Sequence, residues 1–191
     1  GGTSINIEAY GLHTTYGGRP AVIGTLLDIT RRKQGEELLR KAEEQYRGIF
    51  ENAIEGIFQT TPDGRFIVVN PALSRMLGYD SPDDLVLSRT DIQDQLYVQP
   101  EMRTAFMHSL ELNDVVRGFE CELYKKDGSR ILVSFNARAV KNADGATGYY
   151  EGTLEDITEK KKVENEFRLL SEFNEAIIDN APVAIFTLDK K

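Results

Sequence analysis

Few side chains in this sequence have chemical reach. It holds one cysteine, Cys121, and two histidines, His13 and His108, so an intrachain disulfide framework and a multi-cysteine zinc site are both excluded. His108 falls in a stretch from Pro100 to Leu110 where Met102, Ala105, Phe106 and Leu110 recur at helical spacing. It stands two positions beyond Phe106, off that stripe, which favours an exposed imidazole over a haem ligand. Cys121 lies on an alternating segment with its side chain directed inward, the setting of a small buried hydrophobe rather than a reactive thiolate. Asp63, Asp127 and Asp144 each precede a glycine, and a carboxylate there satisfies its own turn. No catalytic acid pair forms. Gly17-Gly18 leads into a strand rather than a helix, so it is not a phosphate loop, and no P-loop, zinc-protease or serine-hydrolase motif occurs. The residues give no support for an enzyme.

What remains is binding. Met76, Tyr79, Leu85, Leu87, Ile92, Leu96, Tyr97, Met102 and Phe106 either line a cavity between strands and helices or fill it. The elements that would hold them follow from turn chemistry. Pro62-Asp63-Gly64 joins a strand at 56–60 to one at 65–69, Asn70 caps and Pro71 starts a short helix, and Ser81-Pro82 starts another. Residues 87–97 read as irregular or one-turn helices, followed by a helix over 100–110. Three antiparallel strands close the unit at about 116–125, 129–140 and 146–157, joined at Asp127-Gly128 and Asp144-Gly145. Phe66, Val68, Phe119, Cys121, Leu123, Ile131, Val133, Phe135 and Ala137 alternate and are expected on the buried face. The class is α+β, an antiparallel sheet with short helices over one face.

The 191 residues are 40% apolar and 28% charged, an ordinary globular composition. A formal charge of -8 and a pI near 4.9 speak against nucleic acid or an anionic membrane as partner. No apolar stretch approaches the length of a membrane span, and no leader pattern opens the sequence. A reducing, cytoplasmic setting is the expectation.

The chain also repeats itself. Thr25-Leu26-Leu27-Asp28-Ile29-Thr30 returns as Thr153-Leu154-Glu155-Asp156-Ile157-Thr158, an offset of 128. At that offset Phe50-Glu51-Asn52-Ala53 falls on Ile178-Asp179-Asn180-Ala181, Gly24 on Gly152, Leu12 on Val140 and Ile7 on Phe135, with no gap. The expected organisation is a whole unit at 46–158, the last strands of a preceding unit at 1–30, and the start of another at 178–191, including a strand at 183–188. Helical linkers occupy 31–47 and 159–177, with Thr30 and Thr158 as their N-caps. Leu39, Ala42, Tyr46 and Ile49 form a seam on the first linker, and Val163, Phe167, Leu170, Asn174 and Ile177 on the second. Each seam either pairs with a second copy or packs back on the domain.

Residues 46–158 resemble a PAS domain with its C-terminal PAC portion. The resemblance rests on Tyr46-Arg47-x-Ile49-Phe50-Glu51-Asn52-Ala53, Gly56-Ile57-Phe58, Asp63-Gly64-Arg65, Asn70-Pro71-Ala72, Met76-Leu77-Gly78-Tyr79, Asp127-Gly128-Ser129 and Gly152-x-x-x-Asp156-Ile157-Thr158. It implies a five-stranded antiparallel sheet in spatial order 2-1-5-4-3, with helices enclosing a pocket. Phe66, Met76, Tyr79, Leu85, Ile92, Leu96, Met102, Phe106, Cys121, Val133 and Phe135 are the pocket candidates. It implies relay of a signal through Asp156, Ile157 and Thr158 into a helix bearing Val163, Phe167, Leu170 and Ile177. The flavin-adduct motif Asn-Cys-Arg-Phe-Leu-Gln is missing, with Ser88-Arg89-Thr90-Asp91 in its neighbourhood, and His108 matches the haem-binding members only loosely. The expected occupant is therefore nothing or a small organic ligand, with haem and flavin disfavoured. The resemblance further implies a homodimer, neighbouring PAS units, and a downstream histidine kinase or diguanylate cyclase.

Overall fold

Gly17 and Gly18 both sit at positive φ, 58° and 78°, which lets the chain reverse in two residues with the twist a hairpin needs. They join strand β1 (Ile7–Tyr16) to β2 (Arg19–Asp28), which leads into helix α1 (Thr30–Asn52). The computed structural model describes residues 4–180, and these divide into two compact units at Glu51/Asn52. In the first unit no described residue is buried. The helix expected at 31–47 extends to Asn52, and its seam residues Leu39, Tyr46 and Ile49 all remain exposed.

The second unit runs β3 (Gly56–Thr60), β4 (Phe66–Val69), α2 (Pro71–Met76), α3 (Pro82–Ser88), α4 (Ile92–Leu96) and α5 (Pro100–Asn113). It continues through β5 (Val115–Tyr124), β6 (Arg130–Lys141) and β7 (Thr147–Asp156) to α6 (Thr158–Asn180). All neighbouring strands are antiparallel in the order β4-β3-β7-β6-β5. Counted within the unit this is 2-1-5-4-3, the expected sheet. Phe58, Leu123, Val133, Phe135 and Leu154 from the strands meet Leu73, Leu85, Leu96, Phe106 and Leu110 from the helices in one apolar core. The strand expected at 183–188 lies outside the described residues.

Asn70 does more than cap. Its Oδ1 accepts from Leu73 N at 3.0 Å, in the first turn of α2, and from Ile57 N at 2.9 Å, while its Nδ2 donates to Glu55 O at 2.9 Å. One fully buried amide thus ties β3, β4 and α2 together, with its donors and acceptors matched to backbone.

Three sequence expectations need correction. Val68 is exposed, because a bulge between Gln59 and Thr60 pairs Thr60 with Phe66 while Phe58 pairs with Val69. The extra residue turns Phe66 and Val69 inward and Val68 outward. The threonines at the helix starts do not cap with their hydroxyls. Asp28 Oδ1 accepts from Thr30 N and Asp156 Oδ1 from Thr158 N, each at 2.9 Å, while the hydroxyls accept from the backbone N–H of Asn6, just before β1, and of Leu132 in β6. The ungapped repeat fails in its first strand. Asp28 pairs with Ile7 and Asp156 with Val133, so the offset is 128 on one strand and 126 on the other. Ile7 corresponds to Val133 rather than Phe135, and Leu12 to Arg138 rather than Val140. An even slip leaves every side chain on its own face, so alternation alone conceals it.

Candidate functional site

Between the helices and the inner sheet face lies a cavity lined by Phe58 and Thr60 of β3, Phe66 of β4, Leu73 and Leu77 at α2, Ile92 and Leu96 of α4, Tyr97, Arg103 of α5, Phe135 of β6 and Leu154 of β7. Its free volume is ≈ 20 Å³, room for about one or two waters. The aromatic side chains fix its shape. Phe135 meets Phe58 edge-on at 5.8 Å between centroids, stacks on Tyr97 at 6.2 Å, and lies 5.3 Å from Phe106.

Two polar side chains stand in this apolar wall. Arg103 is 5% exposed, with its guanidinium 6.0 Å from the Tyr97 ring centroid and 5.9 Å from that of Phe106, within reach of a cation–π interaction. Among the described residues no carboxylate makes an ion pair with it. Thr60 is 2% exposed, and its Oγ1 is the one buried side-chain polar atom among the described residues with no hydrogen-bond partner. An unmet buried hydroxyl costs about 1–3 kcal/mol. Burial pushes the Tyr97 phenol above its ordinary range, and the adjacent Arg103 offsets part of that rise. On its other side Arg103 borders a polar groove of ≈ 250 Å³ flanked by Asp63, Asp91 and Asp94.

Of the sequence candidates, Phe66, Ile92, Leu96, Tyr97 and Phe135 line the cavity. Leu85, Phe106, Cys121 and Val133 are buried in the surrounding core. Met76 and Met102 pack partly buried against it. Tyr79 is buried, and its hydroxyl accepts from Arg89 Nε. Leu87 is instead 77% exposed. Its neighbour Leu85 takes the inward position on α3, a helix too short to bury both.

The stripe of α5 is likewise shifted, to Arg103, Phe106 and Leu110, with Ala105 outside. Sequence reasoning missed Arg103 because of its type. Its spacing of three and seven from Phe106 and Leu110 was the available signal. His108 is exposed and does not line the cavity. Cys121 has its thiol pushed up to about 12 by burial, with the nearby Glu122 charge adding to the rise, so it is held protonated and unreactive. Among the described residues no group of three or more His, Cys, Asp or Glu is placed to hold a metal. A void of this size does not admit a haem or flavin ring unless its walls part.

The cavity wall is continuous with the start of α6. Leu154 is followed on the same strand by Asp156, then by buried Ile157, whose N–H donates to Leu132 O at 2.9 Å. Thr158 Oγ1 accepts from Leu132 N at 3.0 Å, and Lys161 pairs with Glu120 of β5 at 2.9 Å. Beyond that turn Val163, Phe167, Leu170 and Ile177 are all exposed. No helix of the described residues is long and apolar enough to cross a membrane.

The family model for the PAS domain matches residues 54–159. The sensor histidine kinase TmoS of Ectopseudomonas mendocina is 24% identical over 142 residues, 74% of this chain and 14% of that protein. Sporulation kinase E of Bacillus subtilis (strain 168) is 24% identical over 169 residues, 85% of this chain and 21% of that protein. The chain therefore spans a small part of each relative's length. The crystal structure of the PAS domain of an HTR-like protein from Haloarcula marismortui superposes with a TM-score of 0.53 at 22% identity, covering 65% of this chain and 99% of that one; the likeness is one of fold.

Proposed function

This chain belongs to the PAS domain family, and from that membership we propose that it senses a small molecule and relays the event through α6 within a larger signalling protein. The carrying observation is that Leu154 walls the cavity four residues before Thr158, whose hydroxyl fastens the start of α6 to β6. An occupant that moves β7 would change the grip on α6, provided it has different affinities for the two arrangements. The resemblance to two kinases supports a histidine kinase as the output module, in preference to a diguanylate cyclase.

The β1–β2 hairpin is read as the end of a preceding PAS unit. Apolar residues exposed along α1 and α6 support a homodimer joined through these helices. The cavity's small size favours one competing reading, a scaffold that senses nothing and only sets dimer geometry.

Spin labels at a cysteine placed at Ser171 on α6, in a Cys121→Ala background, separate the two readings. Filling the cavity with Leu96→Phe should alter the distance distribution between the paired α6 helices, whereas Leu87→Phe on the exposed side should not. If Leu96→Phe leaves the distances unchanged while Phe167→Asp abolishes the dimer, the scaffold reading replaces the sensory one.

A further inference from the structure

Arg103 and Thr60 are two polar side chains in an apolar wall, one a cation with no carboxylate partner and the other a hydroxyl with no hydrogen-bond partner among the described residues. A guanidinium keeps its charge in proteins, and the usual answer to a buried one is a paired carboxylate. The Tyr97 hydroxyl, which accepts a hydrogen bond from Arg103, and the Tyr97 and Phe106 rings soften the cost but carry no negative charge. The nearby acids are occupied elsewhere or do not reach it. Asp63 pairs with Arg65 at 3.2 Å, Asp91 Oδ1 accepts from Asp94 N at 3.2 Å, and Asp94 forms no ion pair with Arg103. Thr60, on the β3 side of the same cavity, has a hydroxyl with no partner.

We propose that the cavity is built for a small monocarboxylate, with Arg103 as its counter-ion and Thr60 as a second hydrogen-bond donor to it. This rests on the sensory reading above and names its ligand class. Arg103 borders both the cavity and the outer groove, so a ligand arriving through the groove meets the guanidinium first. Asp63, Asp91 and Asp94 flank that groove and repel dianions and phosphates more strongly than a singly charged acid. The tail of the ligand would lie against Leu96, Phe135 and Leu154. A free volume of ≈ 20 Å³ restricts the undisturbed cavity to about the size of a carboxyl group. A longer acid requires α4 to yield. That helix has five residues and supplies Ile92 and Leu96 to the wall, and Ile92 N donates to Gly64 O at its start.

The test titrates the whole chain at neutral pH with acetate, propionate and butyrate, and with acetamide, propionamide and butyramide as neutral isosteres, following backbone amide shifts of Thr60, Phe135 and Leu154. At least one acid should bind about tenfold or more tightly than its amide, the size of effect expected when a charged hydrogen-bonded pair replaces a neutral one. Arg103→Gln should lose that preference, and Thr60→Val should weaken the acid by several-fold while circular dichroism stays unchanged. Should Arg103→Gln fail to fold, the acid-against-amide comparison and Thr60→Val still decide. Equal binding of acid and amide, or an acid preference that survives Arg103→Gln, overturns the carboxylate assignment and leaves a sensor of neutral ligands. No cavity shift with any probe overturns the carboxylate assignment alone, the sensory reading being decided separately by the α6 distances in Leu96→Phe.

Discussion

The β1–β2 and β6–β7 hairpins finish on the same Asp-Ile-Thr sequence and make the same closing bonds. In each, the isoleucine N–H donates to a backbone carbonyl at 2.9 Å, Asn6 just before β1 in one and Leu132 of β6 in the other, and the threonine hydroxyl accepts from that same residue's N–H. Their surroundings are opposite. Leu26 and Leu154 hold matching places, yet Leu26 is 71% exposed and Leu154 is 2% exposed. Backbone pairing is thus written locally in turn and closing residues, whereas the burial that stabilises a sheet comes from whatever covers it. A hairpin exposed on both faces gains little stability from burial.

The sharpest way to break this contrast is to shorten the two leucines. Leu154→Ala should cost about 2–5 kcal/mol, and Leu26→Ala should stay within about 0.5 kcal/mol, both read from denaturant unfolding. Equal losses would mean that the first hairpin already has its cover.

The matched glycines come next. A Cβ on Gly152 would stand 2.2 Å from Asn136 O, whereas one on Gly24 would meet Tyr10 O at 3.1 Å. Gly152→Ala should therefore cost about 1–3 kcal/mol or more through backbone displacement, and Gly24→Ala clearly less, by the same unfolding measurement.

Thr158→Val strips Leu132 N of its partner at a half-buried site and should cost about 1–2 kcal/mol. At Thr30, where Asn6 is open to solvent, water replaces the hydroxyl and the change in stability should be close to nil. Slowed or speeded exchange of the Leu132 and Asn6 amides reports the difference directly.

The smallest effect is acid-dependent. The Asp28 carboxyl is held below its ordinary 3.8 by hydrogen bonds from the Thr30 hydroxyl and amide. A folded value below the unfolded one means its contribution is complete above the unfolded pKa and disappears as pH falls through the folded one. Thr30→Val should move the Asp28 titration, followed by carbon NMR, upward toward 3.8.

How much of this was legible in the sequence depends on the kind of constraint. Turn residues announced their own geometry. Asp127 accepts from Ser129 N at 2.9 Å and Asp144 from Ala146 N at 3.2 Å, so the hairpins and, with the family resemblance, the strand order could be read in advance. Bulges left no comparable mark. The extra residue at Ile67 turned Val68 outward, and the longer connection at 142–146 displaced the repeat by two without disturbing alternation. The site was harder still. Phe66, Ile92, Leu96, Tyr97 and Phe135 of the wall were legible from apolar patterning and the family resemblance, but Arg103 and Thr60 became visible only once the fold enclosed them, because residue type argues for the surface and only spacing argues for the interior. Leu87 failed in the opposite sense, an apolar residue left outside by a two-turn helix with one inward leucine.

Residue-resolved hydrogen exchange on the whole chain, at a concentration where it is monomeric, tests most directly whether the second unit stands alone while the first hairpin awaits a covering layer. The account predicts that paired amides of β3, β6 and β7 exchange only with global unfolding of their unit, and that those of β1 and β2 exchange orders of magnitude faster despite the same bonding pattern. Comparable protection in both hairpins would contradict it.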